Sequence, residues 1–266
     1  MLPTRDEGDD LKLDTLWLFS FFMIFIRSSA MFLSSPIFGT SVPPRVRILF
    51  CGAFSICLLP LVRPTITTVP SDLSGVAAMV GQEVAIGLII GMMIQFLMLG
   101  AQMAGALMDM QMGFSMVQVF NPAAGSATTV LGHFKFLLFL VLFFLLDGHH
   151  QMIHAFASSY THHVELNTSD LMAMKNQILR FVGATSLMAV QVAAPVAAVS
   201  FIVDAASGLV NKSIPNMPVY MVSMGAKTAL GIVALSLGLP LTLVALKTGI
   251  EHTMVSLSDM LSIGVH

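Results

Sequence analysis

Charge is scarce in this sequence. Only 12 Lys or Arg and 14 Asp or Glu occur among 266 residues, 10% of the chain. A soluble domain carries about 25% to cover its surface. Five of the acids, Asp6, Glu7, Asp9, Asp10 and Asp14, fall before position 15, so the remainder is almost uncharged. That excludes an ordinary soluble enzyme and a disordered chain. The net charge of -2 leaves no basic footprint for nucleic acid. Cysteine is scarce as well. Cys51 and Cys57 lie six apart in one apolar run and read as buried small hydrophobes, not as a disulfide or a metal site. What the chain has in quantity is apolar: 56% hydrophobic residues and a mean hydropathy of +0.88. A polytopic, all-α membrane protein follows.

The acidic start lacks the basic n-region of a secretory signal peptide. Residues 1–14 read as a solvated tail ahead of a retained hydrophobic segment. Six apolar stretches are expected, roughly Thr15–Phe38, Ile48–Val62, Leu73–Leu107, Val130–Leu146, Ile178–Val203 and Val219–Leu246. Their lengths are awkward. Ile48–Val62 would reach only about 22 Å as a helix, and Leu73–Leu107 is too long for a simple span. Arg27, Gln82, Glu83, Gln95, Gln102, Lys135, Gln191 and Lys227 interrupt them, and Pro195 and Pro240 favour kinks. Arg45 and Arg47 precede the short second stretch and Arg63 follows it, so the positive-inside signal largely cancels. Helices that face protein partners more than lipid account for all three features. Arg27, Glu83 and Lys227 are then expected to be paired at interfaces, because an unpaired charge in hydrocarbon is too costly.

The central stretch from Gly81 to Pro122 is the most informative. Glu83, Gly87, Gly91 and Gln95 recur every four residues on one helix side. Gly87 and Gly91 form a GxxxG pair, which lets helix backbones approach closely. Gln95, Gln102 and Asp109 form a second stripe at intervals of seven. It needs either packed hydrogen-bonding partners or a wet cavity. Met92, Met93, Met98, Met103, Met108, Met110, Met112 and Met116 make eight methionines within 25 residues, where about two would match the chain average. They form either a methionine-rich core or a compliant seal that yields to varied cargo. Gly113-Phe114-Ser115 and Asn121-Pro122 then break the helix. The segment from Met110 to Phe134 carries no charged residue, so it suits the inside of a protein cavity better than open water.

These residues, read in order, resemble a known family. Arg27, Pro36, Pro43-Pro44-Arg45-Val46-Arg47, then Glu83, Gly87, Gly91 and Gln95, then Gly105, Gln111-Met112-Gly113-Phe114 and Asn121-Pro122 are similar to the FliR family of flagellar biosynthetic proteins. That family includes the corresponding subunit of virulence type III secretion systems. Asp147-Gly148-His149 resembles the family's Asn-Gly-His, and Gly208-Leu209 through Lys212, Pro215 and Val219 resembles its late Gly-Leu…Pro-Gln segment. Asn121 stands where many members have Asp. The resemblance implies a structural pore subunit of a protein-export gate in the bacterial inner membrane, at the flagellar basal body. It would complete a helical channel with FliP-like and FliQ-like subunits, with an FlhB-like protein associated and unfolded flagellar proteins as cargo. It implies a FliP-like part over residues 15–185 and a FliQ-like hairpin over 186–266. It also implies a plug loop at about 112–125: Met112, Gly113, Phe114, Ser115, Met116, Val117, Gln118, Val119, Phe120, Asn121 and Pro122. Arg27, Pro36, Pro43, Arg45, Arg47, Glu83, Gly87, Gly91, Gln95, Lys212, Pro215 and Lys227 would serve interfaces or structure.

Other chemistry is weakly supported. His150 and His154 have a usable metal-ligand spacing on a helix, but no HExxH accompanies them, and polar loop histidines are the simpler reading. No GxSxG and no GxxxxGK[ST] occurs. No enzyme, metal or cofactor is therefore expected. The rival functions are a virulence-system counterpart, a self-contained secondary transporter and a membrane metallohydrolase. Co-purifying partners separate the transporter, and a metal assay the hydrolase.

Overall fold

The computed structural model describes residues 7–36, 42–62, 72–114, 129–161, 168–213 and 219–262. Every regular element among them is a helix: α1 Glu7–Ser34, α2 Pro44–Val62, α3 Leu73–Met112, α4 Val130–Leu145, α5 Gly148–Thr161, α6 Thr168–Ser213 and α7 Val219–Ser262. Five are long and apolar enough to cross a membrane, or up to six if the broken pair α4 and α5 counts as one span. Apolar surroundings offer the backbone no water, so helices that satisfy their own N–H and C=O groups are the physical solution.

Several boundaries differ from the sequence reading. α1 begins at Glu7, so residues 7–14 of the expected tail are helical. α2 begins at Pro44 and has 19 residues, about 28 Å of rise, so the second stretch is long enough to span. Proline fits a first helical turn because its missing N–H would have no intrahelical partner there. The Pro43 carbonyl accepts the first bonds, from Val46 N–H at 3.0 Å and Arg47 N–H at 3.2 Å. α5 was read as a loop with histidines, yet it is a helix. It buries Met152, Phe156 and Tyr160 at intervals of four, leaving His150 and His154 exposed. Cys57 is exposed on α2, whereas Cys51 is buried, and both are free. Six residues of helix turn them to different faces.

Two compact units are built from interleaved parts of the chain. The first takes the described residues within Met1–Gln95, His149–Ile178 and Met254–His266, and the second those within Phe96–Gly148 and Leu179–Thr253. Helices α3, α6 and α7 therefore contribute to both. The boundary at 185/186 falls inside α6, which also runs on through Pro195.

In the first unit, α1 lies close along α3. A side chain at Gly87 would collide with the Arg27 carbonyl, and one at Gly91 with Met31 O and Ser34. The GxxxG pair is thus where α3 meets α1. Aromatic rings tie in α2 and α5: Phe32 and Phe54 meet edge-on at 5.2 Å, and Phe54 meets Phe156 at 5.4 Å. In the second unit Met108, Met112, Leu131, Ala189, Val192, Val196 and Ala234 form one buried cluster.

Candidate functional site

The first unit holds a buried charge cluster. Arg27 of α1 donates Nε to Glu83 Oε2 at 2.5 Å and Nη2 to Oε1 at 2.9 Å, a two-pronged pair with α3. Its Nη1 donates to Ser159 Oγ of α5 at 2.6 Å, and the Ser159 hydroxyl in turn donates a hydrogen bond to Phe156 O at 2.7 Å. Tyr160 Oη donates to Glu83 Oε2 at 3.1 Å, and the guanidinium lies 3.6 Å from the centre of the same tyrosine ring. Fork geometry and ring stacking are why arginine, not lysine, suits this place. The pair joins three helices inside one unit. Sequence reasoning singled out Arg27 and Glu83 but missed Ser159 and Tyr160. The only signal for Tyr160 was the period of four in α5, and Ser159 had none.

The second unit holds the two stems of the loop expected to plug a channel. α3 ends at Met112, and Gly113 takes φ +83, the left-handed value that favours glycine at a helix end. Phe114 N–H returns to Asp109 O at 3.0 Å. Met112 is fully buried, and a side chain on Gly231 of α7 would collide with it. Thr228 Oγ1 of α7 bonds Met112 O at 3.1 Å. Phe114 packs against the buried cluster. On the far side of the loop, α4 starts at Val130 with Thr129 as its cap residue. Asp109 Oδ2 accepts Leu131 N–H at 2.9 Å and Gly132 N–H at 3.5 Å. A carboxylate there satisfies donors that the helix cannot, and complements its dipole. Gly105 lies so close to Leu131 and Gly132 that a side chain would meet their backbone. One helical turn on, Lys135 Nζ donates to Thr242 Oγ1 of α7 at 3.0 Å, and Thr242 also bonds Gly238 O at 3.1 Å. Lys135 is 0% exposed and, among the described residues, makes no ion pair.

Of the proposed plug, Met112, Gly113 and Phe114 are therefore anchored, while Ser115, Met116, Val117, Gln118, Val119, Phe120, Asn121 and Pro122 lie outside the described residues. Of the second stripe, Gln95 and Gln102 are half-buried, and Asp109 is buried as the cap of α4. Pro36 is buried directly after α1, Arg45 is exposed and Arg47 half-buried in the first turn of α2, and Lys212 is exposed in the last turn of α6. Pro215 lies outside the described residues. Lys227 pairs with Asp204, a partner the sequence reading did not name.

Residues 18–253 match the family model described as bacterial export proteins, family 1. The chain is 32% identical over 223 residues to the flagellar biosynthetic protein FliR of Caulobacter vibrioides, covering 82% of this chain and 87% of that protein. It is 28% identical over 222 residues to FliR of Bacillus subtilis, covering 81% and 84%. With FliR of Escherichia coli it shares 25% identity over 250 residues, 92% of this chain and 94% of that one. The chain belongs to the bacterial export proteins, family 1, the family of the flagellar biosynthetic protein FliR, and it is a helical membrane component of flagellar export.

Proposed function

We propose that this chain is a structural pore subunit of the flagellar protein-export gate. It completes a helical channel with FliP-like and FliQ-like subunits, associates with an FlhB-like protein and passes unfolded flagellar proteins. Residues 15–185 play the FliP-like part and 186–266 the FliQ-like hairpin. The loop at about 112–125 closes the channel at rest. Arg27, Glu83 and the GxxxG pair set the scaffold, and Lys212, Pro215 and Lys227 shape the hairpin.

The observation that carries the reading is the pair of anchored stems around the uncharged loop. Met112 and Asp109 hold one side, and α4 with Lys135 holds the other. A loop with fixed ends and an apolar sequence can close a pore by packing. Closure by flexible thioethers and rings needs no fixed hydrogen bonds, so it yields to diverse side chains and still holds back ions.

Deletion of Gly113–Phe120, or replacement of Phe114 and Met116 by Gly, should make the closed complex leak small ions while assembly survives. Cellular ion permeability beside a native gel measures both. An assembled and tight complex after the deletion would refute the plug. Loss of assembly without a leak would mean that the loop only packs against partners.

A further inference from the structure

Helices α3, α6 and α7 of the second unit leave a cleft of about 280 Å³ between them, lined by Leu97, Phe181, Thr185, Met188, Ala245 and Gly249. Its inner wall offers a ligand little to bond. Thr185 Oγ1 is turned back on Phe181 O and Val182 O, at 3.1 and 2.9 Å. The other polar lining residues, Gln191, Thr248 and His252, are exposed at the rim. Gly249 makes the room: a side chain there would meet Leu97 Cδ1 and Met188 Sδ at 2.9 Å each. Gly249 faces Met188 and Gly238 faces Pro195, so α6 and α7 run antiparallel. Phe181 and His252 therefore mark one end of the cleft, Gln191 and Ala245 the other.

Size and surroundings narrow the occupant. From Phe181 to Gln191 the cleft follows α6 for about 15 Å of rise. That is half of a hydrocarbon core about 30 Å thick, the reach of one leaflet's chains. The volume falls below the roughly 300–1,000 Å³ of ordinary small-molecule sites, which leaves room for one slender chain and none for a headgroup or a folded peptide. All three helices are long and apolar enough to cross a membrane, so hydrocarbon is the medium at the mouth.

The Phe181 end is also the basic end. Arg180 is exposed and stands one turn before Ala184, a wall residue on the same strip of α6. Helical side chains lean towards the N-terminus, which carries the guanidinium past the end of the cleft. Arg180 and His252 both lie near the ends of their apolar spans, Met174–Ser213 and Met221–Leu257. Long basic side chains at such places reach for the headgroup layer. Glu251, the acid beside His252, is paired with Lys247. We propose that this cleft binds one acyl chain of an anionic phospholipid, with the phosphate at Arg180 and His252. The site stands apart from any pore or plug.

The test uses the chain purified with its co-purifying subunits and placed in phosphatidylcholine vesicles. The probes are phosphatidylglycerol and phosphatidylcholine, each with a photoreactive diazirine in one acyl chain. Mass spectrometry after illumination maps the labelled residues. Labels should concentrate on Leu97, Thr185, Met188 and Ala245, and phosphatidylglycerol should label them about fivefold more, the advantage one basic group gives an anionic lipid. Arg180→Gln should remove that preference. Ala184→Phe puts a ring in the cleft from an exposed position, and should cut labelling there roughly tenfold by steric clash while labels on Leu209 and Leu237 persist. Labelling of Leu209 and Leu237 as strong as that of the cleft would mean ordinary boundary lipid and overturn the site. An unlabelled cleft in the assembled complex would mean that a partner's side chains fill it, and would overturn it too. Equal labelling by the two lipids, or a preference that survives Arg180→Gln, refutes the anionic headgroup.

Discussion

Arg27 and Glu83 are the residues whose energetics burial decides. Their side chains are 5% and 12% exposed, so the pair is removed from water. The Lys247–Glu251 pair of α7, 3.8 Å apart and 57% and 62% exposed, is a surface contact worth roughly 0.3–0.5 kcal/mol. Removing one partner of a buried pair costs about 3–5 kcal/mol, because the other charge is stranded. Glu83→Leu and Arg27→Met should each destabilise the complex by that order, lowering its thermal midpoint and abundance. The double variant should recover most of the loss, since an apolar pair of similar volume is often neutral. Thermal inactivation of the purified complex measures this, and a double variant as unstable as the singles would contradict it. Tyr160→Phe should cost only about 0.5–1.5 kcal/mol, because one bond to Glu83 goes and the ring stays over the guanidinium. The sequence marked Arg27 and Glu83 as charges needing partners. It could not mark them for each other, because 56 residues separate them and no local period links positions so far apart.

At the scale of elements, the glycines separate by what they face. Gly105 meets the backbone of α4, and backbone cannot yield, so Gly105→Ala should destabilise by about 1–3 kcal/mol. Gly87→Ala should do the same between α3 and α1. Gly81 faces open space in the same helix. Gly81→Ala should stabilise by up to about 1 kcal/mol, because alanine is the better helix former. Gly113→Ala should cost roughly 1–2 kcal/mol from its left-handed φ alone. Thermal midpoints of the four variants test the ranking, and equal effects at Gly105 and Gly81 would count against the close packing of α4. The GxxxG spacing was readable because small residues at intervals of four have one physical use. Gly105 entered the sequence reading only through the family resemblance, because only the fold brings α4 against it. α5 was hidden for a different reason. GHHQMIHAFASSYT is polar enough to pass for a loop, and its apolar face is only the line Met152, Phe156 and Tyr160.

For the whole molecule, long helices keep large side chains outward. Phe201, Leu209, Met221 and Leu237 of α6 and α7 are each more than 70% exposed. So much apolar surface requires lipid or protein cover. Expressed without its FliP-like partner, the chain should aggregate or be degraded, and size-exclusion chromatography of the chain alone checks this. Stable, monodisperse material would count against the channel-subunit reading. By itself the sequence determined the solvent, the helical class and most spans, because each depends on local composition. Low charge and runs of apolar residues leave a backbone no choice but helices. One helix end was equally local: Gly113 ends α3, whereas the sequence reading began the second stretch at Ile48 and the structure opens α2 at Pro44. Only the tertiary structure decided which groups meet. It put Tyr160 over Arg27, Asp109 under the start of α4, and Lys135 and Met112 on one helix far along the chain. The widest of these contacts, Arg27 with Tyr160, joins residues 133 positions apart. Their energy depends on distance and burial in three dimensions, which no periodicity along the chain encodes.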